Sequence, residues 1–157
     1  MIAAQRWWTD GAQAAVEGGE PTHVFADDAD VADAIRLAVA HPDTVLSLIL
    51  AEPATVTDDV AALLPEIEVP TLVLASAPSA DADLTVAQQL AGEIDNGVFV
   101  VIDGAPKPVQ TQRRESFAEW SSSFVAIVEG LAARDGKLLT PPTPLIESTP
   151  LIEGALR

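Results

Sequence analysis

The sequence predicts an α/β fold: a parallel sheet of about four strands with helices on both faces. Three observations carry that expectation. Short, continuous apolar runs recur at 23–26, 45–50, 69–75 and 98–102, the length and texture of strands buried on both sides. The segments between them place apolar residues at helical spacing. Strand-length and helix-length segments therefore alternate, the pattern of repeated strand–helix–strand units with right-handed crossovers.

Each element has a local reason. Residues 2–17 read as a helix with Trp7 and Trp8 near its start, stopped by Gly18, Gly19 and Pro21. Adjacent tryptophans cannot share one helix face, so one points outward, which makes Trp7 and Trp8 interface candidates. Residues 23–26 are the first strand. In the helix at 27–40, Val31, Ala34, Ile35, Ala38 and Val39 form one stripe. It ends at His41, because the residue before a proline avoids helical angles. The second strand, 45–50, stops before Pro53. Thr57 suits the N-cap of a short helix at 57–64, with Asp58 and Asp59 facing its positive end.

The third strand, 69–75, has Pro70 near its start, where a missing N–H is tolerated. A loop at 76–82 leads to a helix at 83–93 with Val86 and Leu90 on one face. Asn96 and Gly97 turn the chain into the fourth strand, 98–102. A Pro-rich loop, 103–112, precedes a long helix at 115–134, whose stripe is Phe117, Trp120, Phe124, Ile127, Val128 and Leu131.

This gives a folded domain over 1–136 and a different segment over 137–157. Prolines at 141, 142, 144 and 150 keep the latter extended. It repeats Thr-Pro-Leu-Ile-Glu at 143–147 and 149–153, a period of six residues. Leu145, Ile146, Leu151 and Ile152 form two apolar anchor pairs, the mark of a docking peptide whose two copies raise avidity.

Composition removes several functions. The chain has 157 residues, 24 acidic against 8 basic, and a formal charge of −16. Nucleic acid and anionic membrane surfaces both demand a basic face, so neither is an expected partner. Without cysteine there is no disulfide, thiolate nucleophile or Cys-type zinc site. His23 and His41 are the only histidines and are read as structural. No cofactor is called for. The N-terminus lacks the apolar core of a secretory signal and no run reaches membrane-spanning length, so a cytoplasmic protein is expected.

From about residue 2 to 133 the order of segments resembles the C-terminal half of an α/β-hydrolase. The strand at 23–26 and a helix ending Ala40-His41-Pro42 stand where that family has its nucleophile strand and following helix. Val69-Pro70-Thr71-Leu72-Val73-Leu74 and the loop bearing Asp81 and Asp83 stand where it has the strand before the triad acid. The strand at 98–102, then Gly104-Ala105-Pro106-Lys107 and Glu115-Ser116-Phe117, stand where it has the triad histidine and last helix. The positions matching the triad are Asp28, Asp81 and Lys107. The elbow departs from the pattern. It needs glycines flanking the nucleophile, and the chain has Ala26-Asp27-Asp28-Ala29-Asp30. Lys107 is a poor general base at neutral pH.

Asp27, Asp28 and Asp30, with Asp33, also form an acidic cluster at a helix start. It fits either dipole complementarity or a divalent-cation site. The resemblance implies that the 23–26 strand is central in the full fold, and nothing upstream is expected to cover it. A bare apolar edge predicts pairing, as a homo-oligomer or with a partner chain. The last residues, Leu151 to Arg157, loosely resemble the cargo-loading tails of encapsulin-targeted proteins, so an encapsulin-type shell is one partner the resemblance implies. The functional expectation is a non-catalytic binding or assembly module. The alternatives are a residual hydrolase completed by a partner chain and a metal-dependent site at the aspartate cluster.

Overall fold

The computed structural model of the chain describes residues 4–136. The segment 137–157, with Leu145, Ile146, Leu151 and Ile152, lies outside the described residues. Five parallel strands form one sheet: β1 Gln5–Trp8, β2 Thr22–Asp27, β3 Val45–Ala51, β4 Thr71–Ala77 and β5 Gly97–Asp103. Their spatial order is their chain order. The helices are α1 Thr9–Glu17, α2 Val31–Ala40, α3 Asp58–Ala61, α4 Thr85–Glu93, α5 Val109–Gln112 and α6 Arg114–Arg134.

The sequential order decides where the helices go. Right-handed crossovers that always step in one direction leave their helices on one face of the sheet. Ala12 and Val16 of α1, Ile35 and Ala38 of α2, Val60 of α3 and Leu90 of α4 accordingly share one core with Val24, Leu48, Leu50 and Val73. The opposite face is left to α5 and α6, where Val109, Phe117 and Val125 pack on Ile49, Ala51, Leu72 and Leu74. β3 and β4 are buried along their whole length, as strands covered on both faces must be.

The first strand is a correction. Residues 5–8 are not the start of a helix but β1, which pairs with β2 from Gln5 opposite Thr22 to Trp8 opposite Phe25. The expected bare edge at 23–26 is therefore covered, and the sheet has five strands rather than four. Four residues are too few to display a period, and they run straight into the Ala-rich α1. Tryptophan favours the pleated, half-buried setting over a helix. Strand geometry then sends the two indoles to opposite faces. Trp8 packs with Phe25 and Phe117. Trp7 lies over Gly11, where a Cβ would stand 2.5 Å from the ring. Both remain about half exposed, at 46% and 44%.

Smaller shifts have local causes. The segment read as a helix at 27–40 opens with a 3-10 turn at Asp28–Asp30 before α2. The helix expected at 57–64 stops at Ala61, and a second 3-10 turn at Leu64–Glu66 carries Pro65. One long helix cannot cover five strands, so Val98 on β5 stays exposed, and Trp120, Ile127 and Leu131 form an exposed stripe along α6. Among the described residues no helix is long and apolar enough to cross a membrane.

Candidate functional site

In an open parallel sheet, ligands and catalytic groups gather at the C-terminal ends of the strands. Here those ends present Asp28 after β2, Glu52 after β3, the loop with Asp81 and Asp83 after β4, and Lys107 after β5.

Glu52 organises this edge, a role that the apolar pattern of the sequence does not display. Its backbone is left-handed, φ +55°, an uncommon conformation for a residue with a side chain. Its N–H still donates to Leu74, at 2.8 Å, continuing the ladder to β4. Its carboxylate accepts from the Ser76 N–H at 3.1 Å, from the Ser76 hydroxyl, and from the Val109 N–H at 2.9 Å. One side chain thus ties β3, β4 and the start of α5 together. The available signal was the Glu-Pro pair directly after a buried strand: a charge there needs partners.

The three positions matching the family triad do not bond to one another. Asp28 accepts the Ala54 N–H at 3.0 Å, which fastens the end of β2 to the loop after β3. In the loop after β4, the Asp81 N–H donates to the Ser79 hydroxyl at 3.3 Å. Lys107 precedes Pro108, and its charge acts on Asp83. The Asp83 carboxyl is held below its usual range by hydrogen bonds from Thr85, with the Lys107 charge adding to the effect. Asp30 turns elsewhere, into a groove between α1 and α2 that Asp10, Asp33 and Arg36 also line. Desolvation, then the like charges of Asp27, Asp10 and Asp33, push its carboxyl up. Among the described residues no three His, Asp or Glu side chains converge to hold a metal.

Neither histidine reaches the strand ends. His41 closes α2 at the opposite end of the sheet. His23 is buried within β2, under α6. Its Nδ1 is 2.7 Å from the Ser47 Oγ and its Nε2 2.9 Å from a Glu129 carboxylate oxygen. An ionised carboxylate can only accept, so Nε2–H donates to Glu129 and Nδ1 accepts the Ser47 hydroxyl. Burial holds the imidazole below its ordinary pKa despite Glu129, so it is neutral at pH 7. Hydroxyl, imidazole and carboxylate stand in the order of a catalytic triad. However, Ser47 is sealed in the middle of β3, with no exposed surface for a substrate. The array is a polar rivet between sheet and helix.

The fold is that of α/β-hydrolases of known structure. A CIB-like hydrolase from Thermoplasma acidophilum superposes with a TM-score of 0.62 at 17% identity, over 74% of this chain and 57% of that one. A bacterial membrane phospholipase A, described as a virulence factor, gives 0.59 at 15% identity, over 76% and 61%. The serine hydrolase CarC of carbazole degradation gives 0.58 at 14%, over 68% and 64%. The chain thus spans about three fifths of the length of these structures. No protein-family model and no curated protein matches its sequence. The class is an α/β-hydrolase-like domain, and at these identities the likeness extends to fold alone.

Proposed function

We propose that the chain is a non-catalytic α/β-hydrolase-like module that self-associates through its exposed apolar surface and its Pro-rich C-terminal segment. The observation that carries this reading is the placement of the histidines. With His23 locked between Ser47 and Glu129, and His41 at the far end of α2, no imidazole serves the edge where Asp28 and Glu52 stand. Glu52 is committed to three hydrogen bonds and Asp28 to a fourth. A hydrolase needs a nucleophile with a base beside it. The surface points to association: Trp7, Val98, Trp120, Ile127 and Leu131 are all exposed in a chain of −16 charge. The anchor pairs Leu145–Ile146 and Leu151–Ile152 add to it.

Light scattering on the full chain tests the reading. A defined mass above the 16.4 kDa of one chain is expected, reduced when Leu145, Ile146, Leu151 and Ile152 are all replaced by serine. A monodisperse monomer overturns it. A residual hydrolase is the second reading, favoured by Asp28 standing at the end of β2. Turnover of p-nitrophenyl acetate that disappears in Asp28→Asn would establish it instead.

A further inference from the structure

A cavity of about 260 Å³ opens between the β1 edge and α6, and neither Asp28 nor Glu52 lines it. Its wall is aromatic. The Trp8 ring lies 5.6 Å from Phe25 and 6.2 Å from Phe117, and those two lie 6.3 Å apart. Trp8 keeps 44% of its surface in solvent, so the wall is open to a ligand.

Arg6 is one of the cavity's lining residues. It precedes Trp8 by two residues in β1, so both side chains leave the same face of the sheet. Acidic side chains outnumber basic ones 24 to 8 in this chain, yet among the described residues Arg6 makes no ion pair. Its guanidinium charge reaches His23, where it opposes protonation. Ser121, on the α6 side, donates its hydroxyl hydrogen to the Phe117 carbonyl at 2.7 Å, so it offers no free donor to an anion in the cavity.

We propose that this cavity is a binding site for a small aromatic monocarboxylate. The ring lies on the Trp8 and Phe25 wall, and the carboxylate takes the planar fork of Arg6, which offers two parallel N–H donors to two oxygens. The volume is below that of a drug-sized pocket and holds one ring with a short arm. A single guanidinium matches a single negative charge. A dianion would bring uncompensated charge into an acidic protein, and a cation would meet Arg6 directly. The site goes beyond the assembly reading and holds equally in a monomer.

The test uses the full chain with Trp7→Phe and Trp120→Phe, which leaves Trp8 as its one tryptophan. Phenylacetate, benzyl alcohol and benzylammonium are titrated to about 10 mM, an affinity range suited to fragments. Trp8 emission is followed, with ligand-detected NMR on the unmodified chain as a second measurement. Phenylacetate is expected to saturate and to bind about tenfold tighter than benzyl alcohol, with benzylammonium weakest. Arg6→Gln should bring phenylacetate down to the level of the alcohol, while Arg6→Lys keeps part of the preference. Equal binding of phenylacetate and benzylammonium overturns the proposal. So does selectivity that survives in Arg6→Gln, or no saturation by phenylacetate in either measurement.

Discussion

Trp8 of β1 stacks on Phe117 of α6, with ring centroids 6.2 Å apart and planes 14° from parallel. β1 has only four residues and one neighbour, so ladder hydrogen bonds alone hold it weakly. The indole adds an attachment to the opposite layer. A double-mutant cycle on Trp8→Ala and Phe117→Ala should give a coupling of about 0.5–1.5 kcal/mol in urea unfolding. Independent, additive losses would show that the ring contact does not hold the strand.

Glu52→Ala should be among the most damaging single changes at the strand ends. It leaves the Ser76 and Val109 N–H groups without their acceptor and keeps a left-handed residue with a side chain. Hydrogen bonds to a charged group are worth about 1.5–3 kcal/mol each when buried, so a loss of about 2–4 kcal/mol is expected at this half-buried position. Amide exchange at Val109 should quicken more than at Leu50. Unchanged protection at Val109 would mean that Glu52 does not anchor α5.

These two residues also mark the limit of what the sequence discloses. Val45–Ala51 was legible, because an apolar run bounded by turn residues has few other uses. Trp8 was not, because its partners Phe25 and Phe117 lie 17 and 109 residues away, and strand pairing at that range leaves no local period. Glu52 shows the same limit from the chemical side. Its role comes from Ser76 and Val109, on segments brought beside it only by the sheet order. Asp28 was singled out only as the position matching the nucleophile of the family it resembles, and the structure places it just after β2. Its hydrogen bond to Ala54 depends on how the β3 loop folds back, which no spacing in the chain encodes.

The buried His23 makes stability depend on pH in a definite window. In the folded chain burial lowers its pKa, Arg6 adds to the lowering, and Glu129 offsets part of it. In the unfolded chain it takes up a proton near pH 6.5. The unfolded state therefore binds more protons as the pH falls below about 6.5, and stability drops at up to about 1.4 kcal/mol per pH unit. Above that pH the contribution is constant. The carboxyls of Asp59 and Asp83, both held low, lose theirs only in more acid solution. Urea midpoints at pH 7.5 and 5.5 should differ for the native chain, and the difference should shrink in His23→Gln. An equal difference in both would place the titration elsewhere.

Two glycine-to-alanine changes should move stability in opposite directions. At Gly97, the first residue of β5, a Cβ would stand 2.2 Å from the Ala91 carbonyl oxygen and 3.0 Å from that of Ile94. Backbone atoms cannot step aside, so Gly97→Ala should cost about 1–3 kcal/mol or more. At Gly92, inside α4, nothing lies within 4 Å of the added carbon. Gly92→Ala should gain about 0.5–1 kcal/mol from helix propensity. Thermal melts of both variants decide it, and a stable Gly97→Ala would mean that α4 and β5 approach less closely than described.

Trp120 and Ile127 separate folding from association. They lie seven residues apart on α6, one stripe of the helix, and are 47% and 61% exposed. Ile127→Ser removes little buried surface and should shift the unfolding midpoint of the monomeric unit by less than about 0.5 kcal/mol, whereas Trp120 is half buried and Trp120→Ser should cost about 1–3 kcal/mol. If this stripe meets a second copy, the same changes remove aromatic and aliphatic anchors from an interface, where such residues carry much of the affinity. Ile127→Ser in the full chain should then raise the dissociation constant of self-association about tenfold while the melt is nearly unchanged, and adding Trp120→Ser should raise it further. A constant unmoved by both substitutions would assign association to the 137–157 segment or the β1 edge. A melt that falls in step with it would make the stripe part of the fold rather than of its contacts.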